Sequence, residues 1–308
     1  MNTLASVEIQ DSVNALSLLT QAIDAARPGL THQLRVHWNL RRAQQLVQRL
    51  GIRLERSAQD EKFFCETFYN PGGLEDLRRK KTSDLLKAIQ VQESIISDIE
   101  GLYETASSLI DLWAVMCGSL AGFRKDIGFN EFVRTYIDGS GDATSEPGIR
   151  LLARIRNVMS SDLCWLNNHI KIMRNKFVVH YDQPWQQSIH FDAKEMRLSF
   201  ELYLAFKTEE ERDKIRKEVI SICEIGPKHL RLSEADSYPH ATILSHCLDH
   251  IDEFEKSARD RLSEIARSTG FIGPTSQTIV DRSCMLINKS VPILVEFVNE
   301  HQNTINLV

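Results

Sequence analysis

Glycine and proline are scarce in this 308-residue chain, at 14 and 8 residues. So few turn-formers exclude a turn-rich β-sandwich or barrel and favour long uninterrupted elements. The six cysteines (Cys65, Cys117, Cys164, Cys223, Cys247 and Cys284) lie far apart, with no CxxC or other tight ligand spacing. At this length a disulfide framework is unnecessary. The opening MNTLASVEIQDS lacks the basic and apolar regions of a signal peptide. The most apolar run, Leu112 to Phe123, falls well short of the about 20 residues that span a bilayer. A soluble cytoplasmic protein without a membrane partner is expected. Also missing are GxGxxG, the phosphate loop GxxxxGK[ST], the GxSxG elbow and the kinase signatures, so no cofactor is expected. Positive charge is not in excess: 37 Lys and Arg stand against 42 Asp and Glu, a net −5. No global field attracts nucleic acid, and any such binding must use a local patch.

What is present is an apolar fraction of 42%, enough for a core, carried mostly at helical period. Residues 4–26 place Leu16, Leu18, Leu19 and Ile23 in a pattern stopped by Arg27-Pro28-Gly29. A second helical pattern covers 31–56, and Asn70-Pro71-Gly72-Gly73 interrupts the chain next. A long helix is predicted from Ser83 through Leu85, Ile89, Ile96, Ile99 and Tyr103, continuing toward Phe123. Trp113, Met116 and Cys117 on it read as core. Residues 138–148 form the strongest loop, followed by two predicted helices at 149–159 and 161–181. The second carries a stripe, Leu163, Leu166, Ile170, Met173 and Phe177, spaced 3, 4, 3 and 4.

The period then changes. Met196, Leu198, Phe200, Leu202 and Leu204 alternate with polar neighbours, which predicts a strand, and Ser188 to Phe191 offers a hairpin partner. Helices are predicted at 208–222, 234–268 and 275–303, the last kinked at Pro292. The expected fold class is all-α with one small β-hairpin insertion at about 186–205. The predicted division is 1–72, an N-terminal helical extension with a basic helix, and 73–308, the main helical domain.

The densest chemistry closes the striped helix: Arg174-Asn175-Lys176-Phe177-Val178-Val179-His180-Tyr181-Asp182. Six helical residues turn about 600°, so Arg174 and His180 point about 120° apart and lie about 9 Å apart along the axis. One chain does not bring both to one small group. Two copies packed along the stripe around a two-fold axis would converge their Arg/His pairs in one cleft.

This R-N-K-x-x-V-H-x-D segment resembles the signature of the HEPN superfamily, above all its abortive-infection members. The resemblance implies a HEPN-like helical bundle and metal-independent RNA cleavage at a homodimer interface, leaving 2′,3′-cyclic phosphate ends. It also implies a setting in bacterial antiviral defence or a toxin–antitoxin pair, with an antitoxin or other regulatory partner. In that reading Arg174, Asn175 and His180 are catalytic, and Lys176, Tyr181 and Asp182 support them. Histidine exchanges protons near neutral pH, and arginine is a permanent forked cation suited to charge building on phosphate oxygens. Asn175 would orient the phosphate or the imidazole, and Asp182 would fix the His tautomer. The alternative is a non-catalytic helical module of the same kind binding RNA or a protein partner, with His180 hydrogen-bonded at an interface and Arg174 paired to a carboxylate.

Two further features remain. Between Thr31 and Arg56 lie Arg35, Arg41, Arg42, Arg49, Arg53 and Arg56 with Glu55 as the only acid, a net +5 segment. With His37 and Trp38 it suits an RNA backbone track, and Arg78-Arg79-Lys80-Lys81 adds a second cluster. The competing reading is a solvated helix face paired with the acidic stretch 201–265, which holds fifteen acids against ten bases. His246 and His250, four apart beside Asp249 and Glu253, have a spacing that metal ligands use. No HExxH or distant cysteine pair completes a set, so an exposed polar face is the preferred reading there.

Overall fold

The computed structural model describes residues 2–26, 35–68, 82–123, 127–137, 146–175, 185–192, 197–204, 208–228 and 240–301. Helices dominate them: α1 (Asn2–Ala26), α2 (Arg35–Phe68), α3 (Thr82–Leu120), the short α4 (Phe129–Phe132), α5 (Glu146–Leu166), α6 (Glu209–Ile225), α7 (His240–Asp249), α8 (Lys256–Thr269) and α9 (Ser276–Glu300). Strands β1 (Trp185–Asp192), β2 (Arg197–Leu204) and β3 (Gly270–Thr275) form one antiparallel sheet in the order β1-β2-β3. The chain is thus largely helical, as its glycine-poor composition implies. No helix among the described residues is long and apolar enough to cross a membrane.

The predicted hairpin forms, with Asp192 opposite Arg197 and Trp185 opposite Leu204. The structure adds a strand that the alternation rule did not register. Gly270-Phe-Ile-Gly-Pro-Thr275 has two glycines and a proline and no clean period, yet it pairs with β2. Its place at a sheet edge tolerates Pro274. Gly270 leaves α8 at φ 92°, a left-handed conformation that lets the chain pass directly from helix to strand. On β3, Ser245 of α7 serves as a substitute neighbour: its Oγ accepts from Ile272 N at 2.8 Å and donates to Ile272 O at 2.9 Å.

Three helix expectations are corrected. The separate helices at 149–159 and 161–181 are one unbroken helical run to Asn175, because Ser160-Ser161 contains no breaker. That run widens into a π-helical segment (Asn167–Lys171) before a last turn (Ile172–Arg174). The expected helix 234–268 is interrupted after α7 by a 3₁₀ turn (Ile251–Glu253), where Ile251 and Phe254 turn inward to the core. Ile89, assigned to the apolar stripe of α3, is exposed; among the described side chains the first buried one of that helix is Ile95. Pro292 lies inside α9.

The chain divides into two compact units, neither of them a continuous segment. The first comprises residues 1–53, 104–163 and 279–308. Its core collects Leu16, Leu19 and Ile23 of α1, Leu40, Val47 and Leu50 of α2, Trp113 of α3, and Leu294 of α9. The ring of Trp113 meets Phe132 edge-on at 5.5 Å, and its Nε1 donates to Ser290 Oγ at 2.9 Å, which satisfies the one polar atom of a fully buried indole. Buried Asp162 of α5 accepts from Lys289 Nζ at 2.6 Å and from Arg282 Nη1 at 3.4 Å.

The second unit comprises residues 54–103 and 164–278. Phe64, Ile99, Leu102, Trp165, Ile170, Met173, Val219, Leu244, Leu262 and Phe271 are buried in it. Thr208 caps α6 by accepting from Glu211 N, and three glutamates fill the first turn of that helix. The hydroxyls of Ser57 and Ser276 meet at 2.9 Å and both reach Glu61.

Candidate active site

The site motif begins on the last turns of the α5 run. Leu163, Leu166, Ile170 and Met173 of the predicted stripe are all buried, so the stripe is a core-facing surface over its described length. Met173 is followed by Arg174 and Asn175, both half-buried. Arg174 Nη1 donates to Asn175 Oδ1 at 3.3 Å. The carboxamide therefore engages the guanidinium of its neighbour, while the Arg174 fork still has other N–H groups to offer an anion. Lys176, His180, Tyr181 and Asp182 lie outside the described residues.

One turn upstream the structure buries polar groups that the stripe does not include. Asn168, His169 and Lys171 of the π-helical segment are buried, at 2%, 1% and 6% exposure. A π-helical turn holds an extra residue, which shifts the register and swings successive side chains to new faces. Asn168 is held from two sides: Ser263 Oγ of α8 donates to its Oδ1 at 2.8 Å, and its Nδ2 donates to Cys164 Sγ at 3.4 Å. The His169 imidazole stacks on Trp165 at 4.5 Å and meets Phe271 of β3 edge-on at 5.8 Å. Its Nε2 lies 3.5 Å from Asp249 Oδ1 of α7. The sequence signal was available: Asn167-Asn168-His169 is a polar triplet set inside an apolar stripe. Buried polar groups of this kind fix a segment because each must keep its partner.

The arginines of α2 fall into two sets. Arg35, Arg41, Arg42 and Arg49 are exposed and Arg53 is half-buried. Arg41, Arg42 and Arg49 form no ion pair among the described residues. Arg56 is engaged, its Nε 3.7 Å from buried Asp98. Among the described residues the pairing of this face with acids thus extends to Arg56 but not to those three.

His246 and His250 have ring centroids 5.4 Å apart, and His250 Nδ1 lies 3.1 Å from Glu253 Oε1. Among the described residues no group of three His, Cys, Asp or Glu could hold a metal ion. All six cysteines are free, and the Cys247 thiol of α7 is pushed up by its hydrogen bond to Cys223 of α6 and by burial. A groove of about 640 Å³ in the first unit is lined by Leu18, Val291, Pro292 and Val295; none of the sequence-predicted site residues borders it.

No protein-family model matches this chain, and no similar curated protein or solved structure was found. The site must be read from its own residues.

Proposed function

We propose that the chain is a HEPN-type, metal-independent endoribonuclease whose site is completed by a second copy. The observation that carries this reading is Arg174, half-buried at the end of a core-facing helix and hydrogen-bonded to Asn175. An arginine so placed is pre-oriented, and it sits six residues before His180 in the motif that resembles the HEPN signature. In the proposed reaction a ribose 2′-OH attacks the adjacent phosphorus and the 5′-oxygen leaves. One His180 removes the hydroxyl proton and the other protonates the departing oxygen, giving a 2′,3′-cyclic phosphate and a 5′-OH. Arg174 neutralises the added charge on the phosphate oxygens. Asn175 holds Arg174, and Lys176, Tyr181 and Asp182 stay as supporting residues on the strength of the motif. Bacterial defence or a toxin–antitoxin system, with an antitoxin as regulatory partner, is the setting the resemblance suggests.

The test incubates wild type, His180→Ala and Arg174→Ala with total RNA in EDTA. Wild type should cut and leave cyclic ends, and each variant should lose roughly 10²–10⁴-fold in rate. Equal cleavage by all three, or none by wild type across a range of RNAs, would replace this reading with a non-catalytic module binding RNA or protein. Cleavage only on addition of a divalent cation would refute the metal-free chemistry. A monomer with and without RNA would refute the composite cleft.

A further inference from the structure

The outward face of α2 combines features that a merely solvated helix does not need. Trp38 is 62% exposed, and among the described residues it makes no ring or cation–π contact. One turn later come Arg41 and Arg42, and two turns after those Arg49, all exposed and without an ion pair among the described residues. At 100° per residue, Trp38, Arg42 and Arg49 fall within about 40° of one another, and Arg41 lies about 60° beyond Trp38. Gln45, also exposed, sits between them. The opposite side, Val36, Leu40, Ala43, Val47 and Leu50, is buried and fixes the helix in this orientation. From Arg35 to Arg53 the sequence has five arginines and no acid, in a chain of net charge −5.

We infer that this face is a binding track for single-stranded RNA, with Arg41, Arg42 and Arg49 pairing to successive phosphates and Trp38 stacking on an unpaired base. An exposed indole offers apolar area that water does not reward, and every base presents a face to cover it. Trp38 to Arg49 spans about 16 Å of helix axis, the length of roughly five stacked nucleotides at about 3.4 Å each. A duplex satisfies the arginines but hides its base faces, so the tryptophan selects the single strand. The like charge of the track also opposes its packing on a second copy of itself. The inference rests on the ribonuclease reading for its choice of RNA, and it is tested without cleavage.

The experiment measures fluorescence anisotropy of a labelled 2′-O-methyl uridine 20-mer, which has no 2′-OH to attack, against the full chain at rising salt. Wild type should bind with a slope of log affinity against log salt near −2, about 0.7 for each of three phosphates. Arg41, Arg42 and Arg49 changed together to Gln should flatten that slope and weaken binding at least roughly tenfold, whereas the same three changed to Lys should keep the slope. Trp38→Ala should weaken binding about 5- to 100-fold with the slope unchanged. All three variants must retain the wild-type circular dichroism; the changed residues are exposed. Binding of the triple Gln variant at wild-type strength would overturn the proposal. So would equal affinity for a duplex of the same length, or an affinity for polyglutamate matching that for the oligonucleotide, which would assign the face to an acidic protein. Retained binding with no cleavage of natural RNA would reject the nuclease reading and leave the track standing; retained cleavage with no oligonucleotide binding would do the reverse.

Discussion

Asn168 and Ser263 give an unequal pair of substitutions. Asn168 is 2% exposed, and its Oδ1 accepts the Ser263 hydroxyl at 2.8 Å while its Nδ2 donates to Cys164 Sγ at 3.4 Å. Ser263→Ala removes a donor and leaves a buried carboxamide oxygen without that proton. An unsatisfied buried acceptor costs about 1–3 kcal/mol. The Ser263 hydroxyl also lies 2.8 Å from Arg259 O and has a single proton to share between two acceptors. The loss should therefore fall in the lower half of that range, about 1–2 kcal/mol. Asn168→Leu removes the acceptor and the weak donor together and keeps the number of side-chain heavy atoms, and the serine hydroxyl keeps Arg259 O. Its cost should stay under about 1 kcal/mol. Urea unfolding read by circular dichroism gives both values, and hydrogen exchange of amides 164–175 shows whether the loss is local. In the double variant the serine change should cost almost nothing more, since the acceptor has gone. A larger loss in Asn168→Leu than in Ser263→Ala would refute the argument that the carboxamide, not the hydroxyl, is the member that needs its partner.

Other consequences follow from single geometries. Lys289→Met leaves the carboxylate of Asp162, 5% exposed, with Arg282 at 3.4 Å as its remaining cation among the described residues, and should cost about 3 kcal/mol; Asp162→Asn removes one countercharge from Lys289 and Arg282, which water reaches, and should cost less in the same urea titration. Burial and the neighbouring Asp281 raise the pKa of Glu8 above its ordinary value. What the protonated form contributes to stability is present below the ordinary carboxylate range and is lost as pH rises through the raised value. Glu8→Gln should thus raise the thermal midpoint at pH 7, and the gain should vanish near pH 4. A Cβ at Gly226 would stand 2.4 Å from the ring of buried Phe254, so Gly226→Ala should cost about 1–3 kcal/mol. One at Gly51, inside α2, would press closest on the terminal methyl of Ile9, at 2.8 Å, and helix propensity should offset that contact in a thermal melt.

Much of the fold was legible because period is a local property. The stop at Arg27-Pro28-Gly29, the strand alternation at 196–204 and the stripe of α5 all follow from side-chain spacing within one segment. What escaped depends on partners distant in sequence. β3 is a strand because β2 and Ser245 complete its hydrogen bonds, and its own six residues carry no alternation. The break after α7 contains neither glycine nor proline; Ile251 and Phe254 make it by turning into the core. A π-helical turn adds one residue to a loop of backbone and leaves no trace in composition, so Asn167-Asn168-His169 was legible as a polar triplet within an apolar stripe while the side each residue faces was not. At the site, Arg174 and Asn175 were legible as a motif, and their mutual hydrogen bond was not. The arginine face of α2 was legible as charge alone; pairing to Asp98 separated Arg56 from Arg41, Arg42 and Arg49, which have no ion pair among the described residues.

The chain passes between its two compact units at 53/54, 103/104, 163/164 and 278/279, and each passage falls inside a helix, in α2, α3, α5 and α9. Each unit is therefore assembled from separated stretches of one thread, as a braid is, and no single scission frees a whole one. Fragments cut at residue 72 would take Leu16, Leu19 and Leu40 away from Trp113 and Leu294, so the first core would form only when both pieces meet. A protease acting between α2 and α3 would yield a nicked molecule held by its own interior, and synthesis must reach α9 before the first core is complete.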